Sequence, residues 1–147
     1  MEVRLADVFP DAGALLDAAR SAGVTIAAAE SCTGGLFSAA LTAFAGASDV
    51  VRGGVVSYAD AVKVALAMAA GVRRRCEASL GVGITGVAGP GGAGESKAAG
   101  LIFVALNDGS GEAVVRLEGD GGREANRAGA VHAAIELCSG RLAARHP

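Results

Sequence analysis

The 147-residue chain has no tryptophan, one tyrosine (Tyr58) and four phenylalanines, so its core has to be packed from Ala, Val, Leu and Ile. Histidine is scarce: His132 falls in a helical pattern and His146 beside the C-terminus, which leaves a Ser-His-Asp triad without a well-placed member. Cys32, Cys76 and Cys138 are odd in number and widely spaced, a pattern of reduced thiols in a cytoplasmic protein rather than a disulfide framework. Neither the cysteines nor the histidines have metal-ligand spacing, so no metal and no cofactor is expected. No apolar stretch reaches the roughly 18 residues of a membrane span, and the early acidic residues Glu2, Asp7 and Asp11 do not read as a secretory leader. Positive charge is also thin. With a formal net charge of −2 and basic residues scattered except at Arg73, Arg74 and Arg75, the electrostatic footprint of a nucleic-acid binder is missing. A solvated helix face accounts for that triplet.

What the chain does contain is small apolar residues and glycine, 52% hydrophobic with 23 glycines, in a length that suits one domain spanning residues 1–147. Apolar spacing predicts helices over Asp11–Ala22, ended by Gly23, over Gly34–Ala45, from about Asp60 to Cys76, and from about Arg123 to Leu142. In the last of these Val131, Ala134, Ile135, Cys138 and Leu142 share a face, with Asn126, Arg127 and Glu136 elsewhere. Strands are predicted at Val24–Ala29, Val50–Tyr58 and Leu80–Ile84, followed by a hairpin of Leu101–Leu106 and Ala113–Leu117 turning at Asn107-Asp108-Gly109. Alternation of helices and strands with a late hairpin predicts an α/β fold: three layers, α/β/α, around a mixed, mostly parallel sheet.

Three segments place polar or glycine residues directly after apolar strands, where open α/β sheets build their sites. In Glu30-Ser31-Cys32-Thr33-Gly34-Gly35, Ser31 leaves a buried strand and the glycines open a helix, so backbone N–H groups would face an anion or a developing oxyanion. Simple helix capping by Ser31 or Thr33 is the alternative. Gly81-Val82-Gly83-Ile84-Thr85-Gly86 matches G-x-G-x-x-G, yet the following Ala88, Gly89, Pro90, Gly91 and Gly92 prevent the helix that the dinucleotide motif must open. What remains is a loop that lets backbone approach a ligand, with Thr85 supplying a hydroxyl, or an ordinary surface loop. In Ser57-Tyr58-Ala59-Asp60-Ala61-Val62-Lys63, Lys63 is a candidate base: in the first turn of a helix capped by Asp60, the helix dipole and burial would lower its pKa. A neutral lysine could then deprotonate Ser31. The plainer alternative is a solvated helix residue.

Together these blocks, with Arg52-Gly53-Gly54-Val55-Val56-Ser57-Tyr58 and Val64-Ala65-Leu66-Ala67-Met68-Ala69-Ala70-Gly71, resemble the C-terminal domain of the CinA competence/damage-inducible family, also called the nicotinamide-nucleotide amidase family. The resemblance covers nearly the whole chain. It implies helices on both faces of a mixed sheet, a homodimer, and metal-independent hydrolysis of nicotinamide mononucleotide to nicotinic acid mononucleotide and ammonia. It further implies Ser31 as nucleophile, Lys63 and Tyr58 as its activating partners, and Thr85 as a catalytic or substrate contact. Glu30, Thr33, Gly34, Gly35, Gly86 and Gly89 are then expected to line the nucleotide. The family's Gly-Asp-Arg stretch with a second arginine one turn later corresponds to Gly119, Asp120, Arg123 and Arg127, with Gly121 and Gly122 inserted before Arg123. At i and i+4 the two guanidinium groups would share one face and suit a phosphate; a pair of solvated arginines is the alternative. Family members also carry an extra helix and turn between Lys63 and the helix that begins here at Val64. That stretch is either lost from this chain or passed over in its numbering.

Overall fold

The computed structural model describes residues 2–58, 64–90 and 98–145. Asp60 and Lys63 lie outside the described residues, as do Gly91 and Gly92; the helix expected from about Asp60 begins only at Ala65, because Val64 is extended at φ −109°, ψ 118° and forms its N-cap.

The chain opens with a short helix α1 (Leu5–Val8) and continues into α2 (Asp11–Ala22). Apolar spacing sets the inner face of α2, burying Ala12, Leu15, Leu16 and Ala19, and Gly23 ends the helix in the left-handed conformation at φ 64°, the backbone state that a residue without Cβ enters at least cost. Strand β1 (Ile26–Glu30) leads to α3 (Leu36–Thr42), a 3-10 turn (Ala47–Asp49) and β2 (Val51–Val56). Then come α4 (Ala65–Arg75), β3 (Leu80–Gly86), β4 (Leu101–Asn107), β5 (Glu112–Glu118) and the long α5 (Arg123–Arg145). Compared with expectation, α3 is shorter at both ends, because Gly35 at φ 100° starts it late.

The five strands form one sheet in the order β2-β1-β3-β4-β5. β1 pairs in parallel with β2 and β3, whereas β3–β4 and β4–β5 are antiparallel, so only β4 runs against the rest. The architecture is the expected mixed α/β sheet in a single domain. Residues of β1 alternate between the two layers. Ile26 and Ala28 belong to the main core with Leu15, Phe37, Val131 and Cys138 of α2, α3 and α5. Ala27 and Ala29 pack with Val72, Met68 and Cys76 on the α4 side.

Helix α4 rides unusually low on β3. Gly81 and Gly83 face it, and a methyl group on either would collide with helix backbone, 2.0 Å from the Ala69 carbonyl oxygen or 2.2 Å from that of Ala65. These glycines therefore serve helix–sheet contact. The G-x-G-x-x-G segment lies within β3 and opens no helix, as its context predicted. At the far end, the turn after β4 is fixed to α5. Asp108 accepts Ser110 N, Ser110 Oγ and Gly111 N on Oδ1, and Arg141 Nη1 at 2.5 Å on Oδ2. Among the described residues, no helix is long and apolar enough to cross a membrane.

Candidate active site

Because β1, β2 and β3 are parallel, their C-terminal ends meet at one edge of the fold. Glu30 aligns with Val56 on one side and Ile84 on the other, which puts Ser31, the Ser57-Tyr58 pair and Thr85 at the same sheet end. Backbone bonds extend this register past the strands: Ser31 N donates to Ile84 O at 2.9 Å and Ser57 N donates to Glu30 O at 2.8 Å. Ser31 is buried, at 6% exposure.

Glu30 and Thr33, both expected as nucleotide contacts, have their side chains engaged within the protein. Glu30 lies at the end of β1 on the face that α3 covers, and only 1% of it is exposed. Its Oε1 accepts Thr33 Oγ1 at 2.8 Å and Phe37 N at 2.8 Å. Its Oε2 accepts Ser38 N at 3.0 Å and Ser38 Oγ at 2.7 Å. Thr33, wholly buried, thus spends its hydroxyl on Glu30. The same bonds qualify the expected anion site at the start of α3. Gly34 N and Leu36 N go to Ser31 O and Thr33 O, and Phe37 N and Ser38 N go to Glu30. The N–H groups of Cys32, Thr33 and Gly35 are left without an oxygen acceptor among the described residues.

Cys32 is 5% exposed, and burial pushes its thiol above the ordinary range, only partly offset by nearby N–H groups and the Arg127 charge. Such a buried thiol forms little thiolate at neutral pH.

The two arginines do not converge on a single point. Arg123, at the first position of α5, donates Nη1 to Gly89 O at 2.8 Å and Nη2 to the Tyr58 hydroxyl at 2.5 Å. It thereby joins the end of β2 to the glycine loop after β3. Arg127, one turn on, donates Nη2 to Thr33 O at 3.0 Å and lies 3.7 Å from the position a side chain on Gly34 would take. Its Nε is buried with no partner. Asn126, placed away from the buried face by sequence pattern, is instead 8% exposed and donates to Ala88 O at 2.8 Å, pinning the loop from below. Sequence offered no signal for that bond, whose acceptor is 38 residues distant. Beside it a cleft of about 150 Å³ is lined by Gly89, Pro90, Asp120, Arg123 and Asn126 among others.

Thr85 pairs with Phe103 in the sheet and is half-buried, next to Gly86. Gly86 earns its place sterically, since a side chain there would meet Leu101 O at 2.3 Å. Gly89 is buried at φ 102°, Gly34 is exposed and Gly35 half-buried. Among the described residues no three His, Cys, Asp or Glu side chains gather around a possible ion position.

These features define an α/β domain whose polar groups collect where three parallel strands end. The chain belongs to the CinA C-terminal domain family, whose model matches residues 11–66 and 61–142. Among similar proteins, a putative competence-damage inducible protein of Desulforamulus reducens is 41% identical over 136 aligned positions, covering 79% of this chain and 33% of its own length. A CinA-like protein of Mycobacterium sp. strain JLS is 44% identical over 139 positions, covering 77% and 33% respectively. The chain thus spans about a third of the curated relatives it matches. The competence/damage inducible protein CihA from Agrobacterium tumefaciens superposes with TM-score 0.86 at 33% identity, covering 95% of this chain and 98% of that one. A competence-damaged protein (CinA) superfamily protein from Klebsiella pneumoniae gives TM-score 0.85 at 28% identity, covering 92% and 98%.

The first alignment is also longer than the stretch of this chain that it covers. Since 79% of 147 residues is about 116, about 20 of the 136 aligned positions meet no residue of this chain. The two matched stretches of the family model overlap at residues 61–66, next to the point where the resemblance leads one to expect an extra helix and turn.

Proposed function

We propose that this chain is a cytoplasmic, homodimeric amidohydrolase that cleaves the carboxamide of nicotinamide mononucleotide, giving nicotinic acid mononucleotide and ammonia. The observation that carries this reading is the placement of Ser31 in a tightly braced turn beside Tyr58, Thr85 and the arginines, on a chain that belongs to the CinA C-terminal domain family. Lys63 takes the Ser31 hydroxyl proton as the serine oxygen attacks the carboxamide carbon. The resulting oxyanion is met by backbone N–H groups of the Cys32–Gly35 turn. Lys63 returns that proton to the amide nitrogen, which leaves as ammonia, and water, giving a proton to Lys63, then hydrolyses the serine ester to the acid. Arg127, with unspent donors, and the cleft beside Arg123 suit the nucleotide phosphate. The chemistry requires no metal.

A second reading, a nucleotide-binding module without turnover, is favoured by one observation: about 20 aligned positions of the relative have no counterpart here, and the two matched stretches of the family model meet at residues 61–66, beside Lys63. Incubation with nicotinamide mononucleotide and an ammonia assay separates the two. The amidase releases ammonia, keeps its rate in chelator and loses it in Ser31→Ala. Tight binding without ammonia supports the module instead, and a Ser31→Ala variant with full turnover removes the serine mechanism.

A further inference from the structure

We infer that Glu30 is a positioning residue for Ser31: its buried carboxylate holds the 31–35 turn in the shape that presents the serine. This rests on the amidase reading above. The strand places Glu30 on the same side as Ile26 and Ala28, beneath the start of α3, and it is one of the largest side chains in the molecule to be fully buried. Its four donors come from two levels of the structure: the turn, through Thr33 Oγ1, and α3, through Phe37 N, Ser38 N and Ser38 Oγ. The backbone on either side is tied to both flanking strands, with Glu30 O receiving Ser57 N and Ser31 N reaching Ile84 O. Ser31 thus sits between a side-chain clamp on one side and sheet bonds on the other. Glu30 touches no solvent-facing surface, so it acts through this geometry and not on substrate.

The requirement is for a carboxylate in particular. Phe37 N and Ser38 N are fixed donors to different oxygens, and a glutamine can offer an oxygen to only one of them. Its amide nitrogen would face the other donor, leaving a buried N–H unpaired. Aspartate keeps both oxygens but is one methylene shorter.

The test is kinetic and structural at once. Glu30→Gln is expected to lower kcat about 100-fold, the scale of loss when a reacting group is misplaced by about 1 Å, with KM for nicotinamide mononucleotide changed by less than threefold. Glu30→Asp should recover part of kcat. Amide hydrogen exchange at Phe37 and Ser38 should accelerate in Glu30→Gln. Should that variant not fold, Thr33→Val and Ser38→Ala each remove one donor while leaving the carboxylate, and each should lower kcat with KM unchanged. Unaltered exchange, or full kcat with fast exchange, overturns the inference. Absence of ammonia release by the wild type refutes the amidase reading instead, and the exchange measurement then decides whether Glu30 holds the turn.

Discussion

Replacing Gly83 with alanine adds one methyl group to a β-strand where nothing in the backbone conformation forbids it, so its effect isolates the contact between β3 and α4. The new carbon would lie 2.2 Å from Ala65 O, 2.8 Å from Ala69 N and 3.1 Å from Met68 Cβ, whereas ordinary contact begins at 3.4 Å. Two of these atoms are helix backbone, so no side-chain rotation relieves the clash. The helix has to lift by about 1 Å, opening the layer formed by Ala65, Ala69 and Ala105. Overpacking of this kind costs about 1–3 kcal/mol, and for a chain of this size each kcal/mol lowers Tm by about 2–4 °C. Gly83→Ala should therefore melt roughly 3–10 °C below the wild type. Gly71 in the middle of α4 provides the internal control, because a side chain there meets nothing within 4 Å. Gly71→Ala should stabilise by about 0.5–1 kcal/mol through helix propensity. Urea or thermal unfolding of the two variants settles the matter: equal stability of Gly83→Ala and wild type would refute the close-approach account of β3.

The remaining expectations concern the site and the surface around it. Arg127→Ala should raise KM for nicotinamide mononucleotide about tenfold to a hundredfold, the loss of one charge-assisted contact of about 1.5–3 kcal/mol. Arg123→Ala should do less, since both Nη groups already bond Gly89 O and Tyr58; an equal preference for nucleotide over nucleoside in the double variant would remove both from phosphate binding. Alkylation of the native protein followed by mass spectrometry should modify Cys76 alone. Cys32 is nearly buried with its thiol raised, and burial pushes Cys138 up to about 12; native labelling of either would contradict this. For Asp108, desolvation pushes the carboxyl up, but hydrogen bonds from Ser110, Arg141 and Gly111 outweigh it and hold the group well below the usual carboxylate range. Its contribution to stability is therefore full above the unfolded value of about 3.9 and is lost as pH falls toward the lower folded one. Asp108→Ala should flatten the acid limb of a pH–stability profile, and an unchanged limb would exclude this group.

Sequence periodicity found the elements that have a one-sided face and a local stop signal. Helix α2 with Gly23 is the clearest case, and the β4–β5 hairpin around Asn107-Asp108-Gly109 is another. It could not find α1 or the 3-10 turn at Ala47–Asp49, which are too short to show a period. The parallel ends of β1, β2 and β3 brought the expected segments together, because strand ends are fixed by hydrophobic runs that pattern reveals. Side-chain roles were less legible. Glu30 was expected at the ligand from the family resemblance, and the donors that its carboxylate accepts at Phe37 and Ser38 come into place only when α3 folds back over it. Asn126 was misplaced for the same reason, its partner Ala88 being in another element.

The bond from Arg127 to Thr33 joins positions 94 residues apart, and its consequence is one of timing during synthesis. Within this domain the turn carrying Ser31 is made before α5 and can close on Glu30 as soon as α3 forms, but its outer brace is supplied by α5, which follows all five strands in the chain. A nascent chain can thus own its serine and its clamp long before it owns a finished site. The same holds for Tyr58, which waits 65 residues for Arg123. Assembly of these contacts therefore depends on the helix that follows the whole sheet in the chain.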